Sequence, residues 1–186
     1  MDETSINRKI RYTRMVLKDS LLELMKEKPV SKITVKEICE KADINRATFY
    51  SHYSDPYGLL HKIESETLEW AEKMVTTILA QTDEKEMIKI IENILEYIVD
   101  NKKHIQVLMS EQGDINFQKQ LLSMIYNRCG ISPTNEKNAD SLADEYYFVF
   151  VVNGSVGLIQ YWLKSGQNRS AREMAEIIHN MAFKTR

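Results

Sequence analysis

Within residues 46–52 the chain sets a guanidinium (Arg46), two hydroxyls (Thr48, Ser51), a phenol (Tyr50) and an imidazole (His52) close together. Read as a short helix, this stretch lets Ala47, Phe49 and Tyr53 point inward and leaves Arg46, Thr48, Tyr50, Ser51 and His52 toward solvent. Such a face suits nucleic acid: an arginine forks onto guanine, Ser and Thr bond bases indifferently, and phosphates accept from all of them. Other chemistries find no foothold. His52, His61, His104 and His179 are scattered, and for His52 no second histidine or carboxylate stands at ligand spacing. No nucleophile–base pair or glycine-rich phosphate cradle is legible. Gly154-Ser155-Val156-Gly157 sits inside a helical pattern and lacks the strand–turn–helix setting of a nucleophile elbow. Cys39 and Cys129 form neither a metal spacing nor a disulfide framework, and Cys39 reads as a small core residue. No enzyme, metal or cofactor is expected.

The 46–53 face needs a partner helix, and residues 34–42 supply one. Thr34 and Glu37 form a capping box, in which hydroxyl and carboxylate each satisfy a backbone N–H at the helix start. Val35, Ile38 and Ala42 then recur at helical spacing. Asp43-Ile44-Asn45 breaks that helix, and Asn45 is a good N-cap for the next. Upstream, residues 7–27 carry Ile10, Leu17, Leu21, Leu24 and Met25 on one face, broadened by Val16 and Leu22, and Pro29 stops the run. These elements predict a three-helix unit, with a helix-turn-helix, closing near residue 53. A two-helix device of this kind presents its second helix to a DNA major groove.

Charge is distributed accordingly. The net charge of −2 over 186 residues splits into +3 for residues 1–63, with 12 Lys/Arg and 9 Asp/Glu, and −5 for the remainder. Arg8, Lys9, Arg11, Arg14 and Lys18 fall within residues 8–18, which contain no acid. Arg8, Arg11 and Arg14 line one helical side, either as a solvated face or as a contact for phosphates or a minor groove. A positive end on a negative body would orient docking to DNA.

With 6 Gly, 3 Pro and no sustained two-residue alternation, the whole chain reads as all-α. Ser54-Asp55-Pro56 opens a long helix to about residue 82, followed by helices at 84–100, 102–112 and 114–129, a loose loop at 131–138, a helix within 140–166 and a last one at 170–183. Ser170 and Glu173 make a second capping box. The expected division is a DNA-binding domain at 1–55 and a regulatory and dimerisation bundle at 56–186. The stretch from Tyr146 to Leu163 is apolar nearly all round, yet Asn153, Ser155 and Gln160 interrupt it, so it falls short of the roughly 20 predominantly apolar residues of a membrane span. It reads instead as a helix buried on one side by its own bundle and on the other by a second copy. The expected dimer interface is Phe150, Asn153, Gly154, Val156, Gly157 and Tyr161, completed by Met174 and Ile178. Trp70, Met74, Met87, Ile91, Ile94, Tyr97, Met109, Met124 and Phe148 could surround an apolar cavity, or serve as plain core. No signal-peptide stretch opens the chain, so the expected location is cytoplasmic.

Taken together, Ile33-Thr34-Val35, Ile38-Cys39, Ala42, the run Arg46-Ala47-Thr48-Phe49-Tyr50-Ser51-His52-Tyr53 and the Leu59-Leu60 pair resemble the TetR family of transcriptional regulators. The pattern Asn153-Gly154, Gly157-Leu158, Trp162-Leu163, Gly166 is similar to one recurrent type of C-terminal domain in that family. The resemblance implies a homodimer whose recognition helices enter successive major grooves of a near-palindromic operator. It implies a repressor released by a small molecule, here apolar or aromatic; a protein partner in place of the molecule, or activation, is the alternative. A helical protein-binding adaptor is the remote rival and leaves the Arg46–His52 face unexplained. By the same resemblance Thr34 lies beside a phosphate, Tyr50 and His52 contact backbone, and Arg46, Ala47, Thr48 and Ser51 lie nearest base edges. The expected DNA-binding set adds Lys32, Asn45 and Tyr53. One departure stands out: where many relatives place a phosphate-binding lysine at the start of the fourth helix, this chain has Pro56, and Lys32, Lys62 or the basic arm would have to substitute. The base code is thin, so specificity is expected to lean on dimer spacing and DNA shape.

Overall fold

The structure, a computed structural model, describes residues 3–110, 113–129 and 139–183. Among these residues there are nine α-helices and no strand: α1 (Glu3–Met25), α2 (Val35–Ala42), α3 (Arg46–Tyr50), α4 (Pro56–Leu79), α5 (Glu84–Asp100), α6 (Lys102–Leu108), α7 (Ile115–Arg128), α8 (Ala139–Lys164) and α9 (Ala171–Phe183), with a 3₁₀ turn at Val30–Lys32. The all-α expectation holds. The loop expected at 131–138 lies outside the described residues. Two helices are shorter than their apolar patterns suggest: α4 stops at Leu79 and α6 at Leu108.

The chain forms two compact units. The first runs to Leu68 and takes in Lys103–Gln118; the second comprises Glu69–Lys102 and the residues from Lys119 onward. The dividing line expected at residue 55 marks the start of α4, whereas the units part within that helix. Residues 103–118 join the first unit because Val107, Leu108 and Phe117 bury themselves in the same core as Leu17, Leu21, Leu22 and Met25 of α1, Ile38 of α2, Phe49 of α3 and Leu59, Leu60 and Ile63 of α4. Each large apolar side chain removed from water here contributes about 1.5–3 kcal/mol.

The corner between α6 and α7 is tightly made. Gln118 Nε2 donates to the carbonyls of Leu108 (3.1 Å) and Ser110 (3.0 Å), and Asp114 Oδ1 accepts from the Asn116 amide at 2.7 Å. A Cβ at Gly113 would lie 2.3 Å from the Leu108 oxygen and 2.8 Å from that of Val107, both backbone atoms.

In the second unit Ile88, Ile91 and Leu95 of α5 pack with Met174, Ala175 and Ile178 of α9 and with Trp162 and Leu163 of α8. Glu92 of α5 receives Arg172 of α9 at 3.4 Å and Lys89 at 3.0 Å. α8 is followed by Gly166, whose φ of +87° only glycine adopts freely, and Trp162 Nε1 donates to the Arg169 carbonyl at 3.0 Å across that turn. The second capping box is present: the Ser170 amide meets Glu173 at 2.8 Å and the Glu173 amide meets the Ser170 hydroxyl at 3.2 Å. Gly113→Ala should lower the melting temperature by about 3 °C or more, since the corner must open by enough to cost about 1 kcal/mol. Thermal unfolding followed by circular dichroism checks it, and an unchanged midpoint would contradict the packing described.

Candidate nucleic-acid interface

The outward-facing residues of the first unit are positioned by α2. Its N-terminus carries the expected capping box: the Thr34 amide meets Glu37 Oε2 at 2.9 Å and the Glu37 amide meets Thr34 Oγ1 at 3.3 Å. Lys28 also binds the Glu37 carboxylate. Lys28 foremost, then the Thr34 amide and hydroxyl, hold the Glu37 carboxyl down to about 2. α2 ends at Asp43 in the left-handed region (φ 52°), and the chain turns into α3 with the Thr48 amide donating to Asn45 Oδ1 at 2.8 Å. Asn45 is thus a cap, as its type and place predicted.

α3 is five residues long. Phe49 is fully buried and anchors it, with Tyr50 edge-on at 5.7 Å and Tyr53 tilted at 5.9 Å between ring centroids. Arg46, Ala47, Tyr50 and Ser51 are exposed, Thr48 and His52 half-buried. Tyr50, at 58% exposure, is free to meet a partner. The Ser51 hydroxyl donates to the Thr48 carbonyl at 2.7 Å, which leaves it as an acceptor. Lys32 and Thr34 are exposed at the start of α2.

Two residues sit differently from expectation. Ala47 lies on the outer side of α3, because Phe49 alone fills the inward position on that short helix. Tyr53 is buried in the core, as its inward place on the helix predicted, which removes it from the DNA contacts to which it was also assigned; its hydroxyl has no partner and its ring supports α3 from within. Burial pushes the Tyr53 phenol up, with nearby Arg14 opposing. Two exposed residues escaped the sequence reading. Lys36, four after Lys32, borders a cleft of about 370 Å³ that also touches Asn45 and Arg46. Tyr57 stands exposed in the first turn of α4. Basic spacing was the signal for Lys36; nothing local marked Tyr57.

The start of α4 is built around Asp55 and Pro56. Asp55 Oδ1 accepts from the Gly58 amide at 2.8 Å, and that bond foremost lowers the Asp55 carboxyl. This helix end therefore offers a carboxylate and a proline to an approaching phosphate. On α1, Arg8, Lys9, Arg11 and Arg14 are exposed, while Lys18 is bound to Glu66. Cys39 lines the cleft, yet burial raises its thiol, which suits a packing residue. Among the described residues no His/Cys/Asp/Glu group could hold a metal ion, and no helix is long and apolar enough to cross a membrane.

A cationic, hydrogen-bonding helix held across a tight turn by a capped partner is the geometry of a groove-reading device. Comparison with known proteins decides its lineage. The profile of the bacterial regulatory proteins of the tetR family matches residues 19–63, and that of a transcriptional regulator C-terminal region matches residues 85–184. This chain belongs to the TetR family. It is 20% identical over 173 residues to the uncharacterized HTH-type transcriptional regulator YxbF of Bacillus subtilis (strain 168), covering 91% of this chain but only 44% of that relative's length. A TetR transcriptional regulator from Streptococcus agalactiae 2603V shares the fold at a TM-score of 0.58 and 20% identity, over 97% of this chain and 99% of the other. So does the regulator FadR from Bacillus subtilis, solved in complex with stearoyl-CoA, at a TM-score of 0.60 and 14% identity, over 91% and 97% of the two chains. The TetR-family chain is a DNA-binding transcriptional regulator.

The second unit holds the other assigned residues. Trp70 and Tyr97 stack at 3.9 Å between centroids, Ile91 is core, and Met74, Met87, Ile94, Met124 and Phe148 are half-buried. Met109 stands apart from this set, packed on the core of the first unit. On α8, Phe150 and Tyr161 are 75% and 71% exposed, and Asn153, Gly154 and Gly157 are exposed beside half-buried Val156. Met174 and Ile178 are a correction: at 4% and 7% exposure they face α5 inside their own unit and are not available to a second copy.

The capping box yields a signed prediction. Because the Glu37 carboxyl is depressed in the fold, the stability it lends is present above its ordinary value of 4.5 and is lost as pH falls toward about 2. The Glu37→Gln variant should melt below wild type at pH 7, with the gap narrowing from pH 4.5 downward. A gap independent of pH in thermal unfolding would contradict this.

Proposed function

We propose that this TetR-family regulator is a cytoplasmic homodimeric repressor, released from a near-palindromic operator by an apolar or aromatic small molecule. The reading rests on one observation before all others: Arg46, Ala47, Tyr50 and Ser51 stand exposed on a helix whose Phe49 is fully buried. Arg46, Thr48 and Ser51 meet base edges, Tyr50, His52 and Lys32 meet phosphates, and Lys36 and the α1 arginines replace the contact missing at Pro56. Each direct contact of this type is worth about 1–3 kcal/mol of discrimination or affinity.

For the dimer, the support is the outer stripe of α8: Tyr146, Phe150, Gly154, Gly157 and Tyr161 recur at helical spacing and are all exposed. Nothing lies within 4 Å of a Cβ built at Gly154 or Gly157, so a second helix can approach closely there. For the effector, the support is the Trp70–Tyr97 stack, and the stearoyl-CoA bound by the FadR neighbour. α4 begins in the first unit and ends in the second, so a ligand that tilts it alters the separation of the two recognition helices.

The operator is to be recovered by selection from random DNA and used in mobility shifts at fixed salt. Arg46→Ala and Tyr50→Ala should each weaken binding about tenfold or more at unchanged helicity. Long-chain acyl-CoA in the same assay should release wild-type protein. Unimpaired binding by both variants refutes the docking, and indifference to acyl-CoA removes that ligand class. Phe150→Asp should give a monomer in sedimentation, because a charge would be buried in the paired surface; a wild-type profile rejects the α8 interface.

A further inference from the structure

We propose that Lys28 is a positioning residue for DNA binding: by clamping the Glu37 carboxylate it masks a negative charge from the duplex and frees the Thr34 hydroxyl for a phosphate. The inference rests on the docking proposed above, with the start of α2 toward the DNA, and adds a residue outside that contact set.

Glu37 stands in the way of such a docking. It is an acid in the first turn of α2, beside the exposed Lys32 and Thr34. With its carboxyl held down to about 2, it is fully ionised at neutral pH. An unmasked anion there would repel phosphate.

The bonding of Thr34 raises a second obstacle. Its hydroxyl accepts from the Glu37 amide at 3.3 Å and gives its single proton to Glu37 Oε2 at 2.9 Å. A phosphate oxygen can only accept, so this hydroxyl serves a phosphate once its proton turns away from Glu37. The carboxylate must then be held by other donors.

Lys28 answers both. Its Nζ binds Glu37 Oε1, whereas the Thr34 amide and hydroxyl both use Oε2. When the hydroxyl turns outward, Oε2 keeps the Thr34 amide at 2.9 Å and Oε1 keeps the ammonium. Lys36, the neighbour of Glu37 in sequence, leans instead on Glu40 at 3.7 Å. The clamp is well founded at both ends. The Lys28 amide donates to the Leu24 carbonyl at 3.2 Å, just past α1, and the Lys32 and Ile33 amides close the 3₁₀ turn on the Pro29 and Val30 carbonyls. Ile33 and Ile38, on either side of the box, are buried. The pair itself is partly exposed, with side-chain exposures of 30% and 36%, so it adds little stability while its charges remain open to a docked duplex.

Operator affinity of the full chain at fixed low salt, read by fluorescence anisotropy at 20 °C on variants of wild-type helicity, tests the clamp through a double-variant cycle. Lys28→Met should bind about threefold to tenfold more weakly than wild type. Lys28→Arg, which keeps the cation, should come back to within about twofold. Glu37→Gln keeps a capping side chain without the charge, and in that background Lys28→Met should change affinity by less than about twofold. Equal losses in the two backgrounds would mean that Lys28 meets the DNA itself, and would overturn the proposal. Wild-type affinity of Lys28→Met, or no rescue by Lys28→Arg, would do the same. Arg46→Ala separates the two levels: weakened binding there beside an unaffected Lys28→Met removes the clamp alone, whereas indifference to both removes the docking as well.

Discussion

Every outward feature of the DNA-binding unit depends on the burial of Phe49. A helix of five residues is far below the length at which helices persist alone, so α3 exists because its one inward ring is locked into the core. Asn45 caps its first turn, Tyr50 and Tyr53 pack on the Phe49 ring, and the left-handed Asp43 sets the entry angle from α2. Fixing the backbone there fixes which way Arg46, Thr48 and Ser51 face. The rigid anchor, more than the polar residues themselves, fixes the direction of that face.

Around that anchor, electrostatics are arranged by position. Exposed cations lie on α1 and the first turn of α2, while the start of α4 is closed by Asp55 and Pro56. Surface ion pairs such as Lys36–Glu40 at 3.7 Å add little stability, but they restrain side chains that face the solvent.

Local rules made much of this legible. The Thr34–Glu37 and Ser170–Glu173 boxes act over three residues, and both appear in the fold as read from the chain. The helix-turn-helix followed from the same short-range logic plus the resemblance at residues 46–53. Longer-range facts were not legible. Periodicity announced an apolar face on α9, yet could not say that Met174 and Ile178 turn to α5 while Met181 stays exposed. Glu64 looked like one charged residue among many on a long helix. Its burial becomes visible only in the folded first unit.

Hydrogen exchange of the full chain with and without its selected operator tests the central claim most directly. The account predicts new protection concentrated in residues 45–52 and at the start of α2, with little change in α5. Protection absent from 45–52, or spread evenly over both units, would contradict the assignment of this anchored helix as the groove-reading element.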